Sequence, residues 1–340
     1  MSNLPQKNKL LSSPESRLAV IAVVVFITMA ALSPERFLSP QNMTSMAFQF
    51  PEFAILALAM TITMLTGGID LSVVGISNLS AVIGATILTQ FAGPDIAGIE
   101  MAMWIGIAIA ISISVGMLAG LFNGIIIAIF GLPPILATLG SGLVFTGLAV
   151  ALTGGSAVLG LPSGVAWLGN ETVVGVPVPV ILFTILALGL SFLLARTSFG
   201  LKIQMYGTNP LAAQFAALDV NRLLMKVYMV SGVYSAMAGM VIMSRANSAK
   251  ADYGSSYLLL AVLIAVLGGI NPYGGYGRII GVVLAVLSMQ FLSSGLNMLQ
   301  VSNFSRELIW GVLLIFVMIV NLQKGFKLNL GKKPQTKPTN

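Results

Sequence analysis

The chain has 340 residues, of which 57% are hydrophobic and only 8% are charged. Because soluble domains carry about 25% charged residues, this composition excludes a soluble protein and indicates one that crosses a membrane many times. The sequence has no cysteine and no histidine, which excludes disulfides, thiolate or imidazole catalysis and the common zinc and haem sites. Its net charge of +7 clusters at the chain ends and in one central loop, which favours a membrane surface over nucleic acid.

Ten apolar segments follow one another, most of them near the 20 or so residues that a spanning helix needs. They cover residues 18–32, 53–66, 71–88, 101–122, 133–152, 178–195, 227–243, 257–268, 279–299 and 308–322. With a cytoplasmic N-terminus, 13 of the 17 basic residues fall on the cytoplasmic side, and the other four are Arg36, Arg245, Lys250 and Arg306. The positive-inside rule therefore predicts an all-α polytopic membrane protein with about ten spans and both termini in the cytoplasm. Eight spans with re-entrant segments is the alternative.

The spans form one predicted transmembrane domain, over residues 18–322. A cytoplasmic N-terminus at 1–17 precedes it, and a basic tail at 323–340, expected to be disordered, follows it. The longest cytoplasmic loop covers residues 196–226. The sequence contains no G-x-x-x-x-G-K-[ST] motif, so the chain is predicted to be no ATPase, and no catalytic pair suggests another enzyme.

Two glycine-rich segments interrupt the apolar pattern. The first, Gly67-Gly68-Ile69-Asp70-Leu71-Ser72, holds a carboxylate embedded between two apolar runs. Asp70 and Ser72 are expected to cap the next helix, and a direct part of Asp70 in transport or gating is the alternative. The second, Gly268-Gly269-Ile270-Asn271, echoes the first. Paired interruptions are typical of transporter repeats, although four residues can also match by chance.

Small residues in the fourth segment predict close helix packing. Gly116, Gly120 and Gly124 form two overlapping G-x-x-x-G steps. Such steps let two helix backbones approach each other in lipid, so we expect a helix–helix interface here rather than a hinge.

The central loop contains a predicted short helix. Asn209 followed by Pro210 is typical of an N-cap and first helical position, and the alanines that follow favour about nine helical residues. This helix would align Leu211, Phe215 and Leu218 on one apolar face. Such a face is covered by the membrane surface, by the protein's own helices or by a partner protein.

These loop residues carry a resemblance to a known family. Arg196-Thr197-Ser198-Phe199-Gly200, Gly207-Thr208-Asn209 and Tyr228-x-x-Ser231-Gly232 resemble the coupling-loop region of ribose-type (branched-chain/monosaccharide) ABC importer permeases. The first glycine-rich segment and the stretch 132–140 are similar to further family motifs, so the resemblance covers about residues 50–320. Ala217-Leu218 departs from the family, in which Gly-Ile is common at that place.

The resemblance implies a type II-like, multi-pass permease subunit in a bacterial inner membrane, which moves a monosaccharide or related polyol into the cytoplasm. Its implied partners are a cytoplasmic ATP-binding subunit that hydrolyses ATP, a periplasmic sugar-binding protein, a second permease copy or paralogue, and membrane lipid. No cofactor is expected on this chain. The alternative function is an ion-coupled secondary transporter of a small polar solute.

The expected site residues fall into three sets. The ATPase-contact set is Asn209, Pro210, Ala212, Ala213, Gln214, Phe215 and Leu218. The helix-break or gating set is Gly67, Gly68, Asp70, Ser72, Gly268, Gly269 and Asn271. Candidates along the solute pathway are Asn78, Asn123, Pro133 and Thr138. No catalytic residue and no metal ligand is expected.

Overall fold

The computed structural model describes residues 13–92 and 96–330. Residues 1–12 of the predicted N-terminus and residues 331–340 of the predicted tail therefore lie outside the described part of the chain. Within the described residues, all ten segments predicted as spans are helical. The structure confirms an all-α polytopic protein, with one small hairpin in a loop.

The helices, in chain order, are α1 (Pro14–Leu32), α2 (Pro34–Phe37), α3 (Pro40–Met64), α4 (Val73–Ile87), α5 (Gly98–Ala128), α6 (Pro134–Thr153), α7 (Ala166–Asn170), α8 (Val178–Arg196), α9 (Ser198–Thr208), α10 (Pro210–Phe215), α11 (Val220–Ala246), α12 (Tyr257–Leu267), α13 (Ile279–Met298) and α14 (Asn303–Leu330). A π-helical turn, Leu88–Ala92, continues α4, and a 3₁₀ turn, Ser163–Val165, precedes α7. Strands β1 (Thr172–Val173) and β2 (Val176–Pro177) pair antiparallel.

Eight helices in the described ranges are long and apolar enough to cross a membrane: α1, α3, α4 with its π turn, α5, α6, α8, α11 and α13. Helix α12 is apolar but has only 11 residues. The predicted ten spans and the cytoplasmic position of both termini stay predictions.

Buried helices form the centre of the protein. Helix α11 packs against α3, α4 and α5, while α12 packs against α3 and α13. Helices α5, α6 and α8 lie at the periphery and expose large apolar side chains such as Leu118, Leu143 and Phe192. Apolar surface of this kind suits lipid, because the hydrocarbon chains of lipid offer no hydrogen-bond partners to polar groups.

The glycine steps of α5 form the predicted interface, and their partner is α11. A Cβ added at Gly116 or Gly120 would overlap the backbone carbonyls of Gly232 and Tyr228, respectively. At Gly124 it would lie 2.6 Å from the Cα of Met225. The two backbones are therefore in direct contact along three turns, as predicted.

The predicted start of the second span is wrong. The second predicted span begins at residue 53, whereas α3 begins at Pro40 and contains Pro51 in its interior. Tertiary contacts satisfy its polar residues: buried Asn42 donates to the carbonyl of Phe37 and accepts from Ser294. Helix α14 continues to Leu330, eight residues past the predicted end of the last span, and the expected disorder of the tail stays a prediction. The lysines and leucines of this stretch are good helix formers, and the first proline of the tail is Pro334.

Candidate functional site

The first glycine-rich segment ends α3 with a left-handed glycine. Gly67 has φ 81°, and the N–H of Gly68 donates to the carbonyl of Thr63 over 3.2 Å. This is the Schellman pattern, in which a residue without Cβ is favoured at the left-handed position. The glycine pair therefore makes the predicted helix break.

Asp70 lies just after this break and is fully buried. One carboxylate oxygen accepts from the backbone N–H of Ser72 over 3.0 Å and from its hydroxyl over 2.6 Å. The other oxygen accepts from the hydroxyl of Ser231 on α11 over 2.8 Å. The carboxylate therefore ties the break to the central helix through neutral donors.

The predicted capping geometry is wrong in detail. Asp70 binds the N–H of Ser72, the residue before α4, rather than an N–H of the first helical turn. Ser72 also makes no side-chain cap, because its hydroxyl is directed to Asp70 as a donor. An aspartate commonly accepts from the N–H two residues on, and this short-range turn replaces the expected cap.

Two of the predicted pathway residues contact the same break. Asn123 of α5 donates its side-chain N–H to the hydroxyl of Ser72 over 2.7 Å. Thr138 of α6 accepts from the N–H of Leu71 over 3.0 Å and donates to the carbonyl of Pro134 over 2.8 Å. The break is thus held by α5, α6 and α11 together.

The other two pathway residues lie elsewhere. Asn78 of α4 donates to the carbonyls of Ala251 and Tyr253, each over 2.9 Å, and so anchors the loop that follows α11. Pro133 is exposed and precedes the first residue of α6. A role of any of these four residues in the solute pathway stays a prediction.

The second glycine-rich segment also ends its helix, α12, with a left-handed glycine. The cap is shifted by one residue relative to the glycine pair. Here Gly269, the second glycine of the pair, is left-handed with φ 83°, and Ile270 N–H donates to the carbonyl of Ala265 over 3.1 Å. Asn271 organises its own turn by donating to the carbonyl of Gly274 over 2.7 Å. Asn271 and Asp70 are therefore not structurally equivalent, and the four-residue echo reflects shared cap chemistry.

The two breaks meet in space, which the sequence did not reveal. The N–H of Gly275, in the loop after α12, donates to the carbonyl of Leu65 at the end of α3 over 2.9 Å. Gly207, near the end of α9, packs against both of these residues. The C-terminal ends of α3 and α9 therefore meet in contact with the loop between α12 and α13.

The predicted loop helix is α10, which begins three residues after Gly207. Asn209 is its N-cap, as predicted, and accepts from the N–H of Ala212 over 3.0 Å. Phe215 is 90% exposed and Leu211 is 66% exposed, whereas Ala213 is buried. Pro210, Ala212 and Gln214 are also exposed. The helix thus presents an apolar surface away from the protein.

The predicted length and apolar face of this helix need correction. Helix α10 has six residues rather than nine, because Ala217 adopts φ 56° and the N–H of Leu218 turns back to the carbonyl of Ala213. Leu218 is therefore directed to the core and does not extend the exposed face. The left-handed conformation also explains why glycine suits this position better than alanine.

Sequence reasoning missed a second buried carboxylate. Glu52 of α3 is 6% exposed. It accepts from Arg245 of α11 over 2.8 Å and from the hydroxyl of Tyr257 of α12 over 2.7 Å. The predicted second span begins at residue 53, so Glu52 fell just outside it. A helix predicted through the polar stretch 40–52 would have placed Glu52 in α3.

Comparisons with known proteins agree with this architecture. The family model described as "Branched-chain amino acid transport system / permease component" matches residues 42–320. The autoinducer 2 import system permease protein LsrD of Enterobacter sp. (strain 638) is 34% identical over 312 residues, which are 90% of this chain and 91% of that protein. The ribose import permease protein RbsC of Bacillus subtilis (strain 168) is 33% identical over 303 residues, 88% and 90% of the two chains. No solved structure gives a significant match.

Proposed function

The chain belongs to the ribose-type family of ABC importer permeases, and on this premise we propose that it moves a monosaccharide or related polyol into the cytoplasm. In this proposal it works as a dimer with a second copy or a paralogue. A separate ATPase subunit powers the dimer from the cytoplasm, and a periplasmic binding protein delivers the solute. Its multi-pass architecture fits a protein of the inner membrane.

The exposed face of α10 carries the proposal of an ATPase partner. Burying a large apolar side chain is worth about 1.5–3 kcal/mol relative to leaving it in water, and both Phe215 and Leu211 stand mostly exposed. Asp219 and Arg222, just after α10, form an ion pair in which both side chains are more than half exposed. Charges beside an apolar centre suit a protein interface with a wet rim better than lipid chains.

The relatives support the proposed substrate class. They are named as ribose and autoinducer 2 import permeases, while the family description names branched-chain amino acids. Because the individual relatives are similar over about 90% of this chain, we favour the sugar class. Uptake of a radiolabelled pentose, hexose, deoxy-sugar and polyol, each competed by the others and by leucine, tests it. Competition by leucine alone would refute the sugar class.

The energy source is tested in vesicles that contain the permease with its proposed ATPase partner, with the binding protein and its solute supplied on the periplasmic side. Uptake is measured with ATP supplied on the cytoplasmic side and with proton and sodium gradients collapsed by ionophores. We expect uptake to continue and to stop when ATP is replaced by a non-hydrolysable analogue. Loss of uptake on collapse of the gradients would instead favour an ion-coupled secondary transporter.

The docking face is tested by Phe215→Asp, with Phe215→Leu as the matched apolar control. We expect the aspartate variant to insert normally but to lose co-purification with the ATPase, because a charge would be desolvated in the interface. The leucine variant should retain it. Ala213→Asp is no test of docking, because Ala213 is buried against the protein itself. Equal co-purification of both Phe215 variants would refute this docking face.

A further inference from the structure

Three backbone segments touch where α10 joins the rest of the protein. We call the contact between Leu65–Gly67, Gly207–Thr208 and Gly274–Gly275 the glycine junction. Its hydrogen bond runs from the N–H of Gly275 to the carbonyl of Leu65 over 2.9 Å. The other contacts are so close that they leave no room for side chains.

The glycines of the junction cannot carry a Cβ without displacing backbone. At Gly207 an added Cβ would overlap the carbonyl oxygen of Leu65 and the amide nitrogen of Gly275. At Gly274 it would lie 2.8 Å from both the carbonyl oxygen of Gly207 and the amide nitrogen of Gly67. Gly67, Gly274 and Gly275 also have φ values of 81–90°, which L-residues with a side chain rarely adopt.

The junction is the direct link between α10 and both helix breaks. Gly207 lies in the last turn of α9, and only Asn209, in extended conformation, separates α9 from α10. On the other side, Leu65 is the C-cap of α3, and Gly274–Gly275 lie between α12 and α13. Backbone contacts therefore connect α10 to α3 and, through the loop of Gly274–Gly275, to α12 and α13. No flexible side chain lies between these contacting backbone atoms, so a displacement of α10 can reach all three helices.

We propose that the glycine junction is the rigid contact through which movement of α10 is conveyed to both helix breaks, with Gly207 as its positioning residue. The proposal rests on the proposed function, because it takes the ATPase to act on α10. Close packing resists compression, so backbone contact passes on a displacement that a side-chain contact would absorb. The break then moves as a unit, because Asp70 and Thr138 tie it to α11 and α6.

The first test adds a methyl group at Gly207, which forces the backbone segments of the junction apart. Gly207→Ala is assembled with the ATPase and the binding protein in lipid nanodiscs, where co-purification, basal ATP hydrolysis, its stimulation by loaded binding protein, and uptake in vesicles are measured. We expect co-purification and basal hydrolysis to persist, because α10 keeps its exposed face. Since coupling between sites is commonly worth 5–150-fold, stimulation and uptake should fall by about tenfold or more.

A matched control distinguishes this effect from tight packing in general. Gly239→Ala introduces an equally forbidden Cβ, which would overlap the carbonyl of Ser77 between α11 and α4, away from the junction. We expect it to lower thermal stability without separating ATP hydrolysis from uptake. If both variants uncouple equally, or if Gly207→Ala transports at the wild-type rate, the proposal is wrong.

The second test loosens the link between α10 and the junction and remains informative if the Gly207→Ala variant fails to assemble. Two glycines inserted between Thr208 and Asn209, where α9 ends and the N-cap of α10 begins, add no side chain to the contacts of Gly207 with Leu65 and Gly275. A rigid backbone link predicts that this insertion lowers stimulation and uptake by about tenfold or more, while co-purification persists. Wild-type uptake by the insertion variant would overturn the proposal. Both tests need wild-type uptake to depend on ATP, so a wild type driven by ion gradients would refute the proposed function itself.

Discussion

The ion pair between Glu52 and Arg245 is largely buried, and its contribution to the free energy of unfolding can be estimated from its geometry. Their side chains are 7% and 27% exposed, and the N–O distance is 2.8 Å. Removing one partner of a fully buried pair costs about 3–5 kcal/mol, whereas exposed pairs are worth about 0–1 kcal/mol. Since Arg245 keeps a quarter of its side chain in contact with solvent, we expect Glu52→Gln to cost about 2 kcal/mol, between these limits.

The measurement is unfolding in detergent, followed by tryptophan fluorescence. A double-mutant cycle with Tyr257→Phe apportions the network, because the tyrosine hydroxyl donates to the same carboxylate over 2.7 Å. Hydrogen bonds to charged groups are worth about 1.5–3 kcal/mol, so the two substitutions should be clearly non-additive. Glu15→Gln is the control, because the Glu15–Arg278 pair has an arginine that is 79% exposed. Equal stability of Glu52→Gln and Glu15→Gln, or strict additivity in the cycle, would refute this reasoning.

Three further predictions concern single positions. Gly120→Leu should prevent close packing of α5 on α11 and lower the melting temperature, whereas Gly140→Leu, in open space on α6, should leave it unchanged; thermal unfolding of both in one detergent decides this. Ala217→Gly should protect α10 from amide hydrogen exchange, because alanine at left-handed φ costs about 1–2 kcal/mol; unchanged exchange rates would contradict it. Asp70→Ala should destabilise the break by about 2–3 kcal/mol, because the hydroxyls of Ser72 and Ser231 lose their acceptor. Asp70→Asn should retain most of that stability, and equal unfolding midpoints of the two variants would argue against the role of these bonds.

Local sequence patterns predicted the helices well, because each pattern had a local physical cause. The ten apolar runs became helices, the G-x-x-x-G steps of α5 became an interface, and Asn209 became an N-cap. In each case the residue type determines what the backbone nearby can do. The errors arose where tertiary contacts decide, as at the polar start of α3, which Arg245 and Ser294 stabilise from other helices.

The candidate site was predictable only in parts. Glycine pairs indicated both helix breaks, but no periodicity or spacing indicated that the loops at 65–67 and 274–275 would touch. That contact joins residues about 210 positions apart, and glycines carry no side chain whose chemistry could suggest a partner. The exposure of Phe215 was predictable from the short helix, whereas the inward turn of Leu218 depends on the conformation of Ala217.

Glu52 also constrains how the chain can be made. Its partner Arg245 lies 193 residues further along the sequence, so at 5–20 residues per second the ribosome needs roughly 10–40 s to synthesise it. During that interval a lone carboxylate in α3 would face lipid at a cost of a few kcal/mol. Helix α3 is also the least hydropathic of the eight candidate spans. We therefore expect α3 to stay at the membrane surface or beside the insertion machinery until α11 is synthesised, so that α3, although mostly buried in the finished protein, is among the last helices to insert.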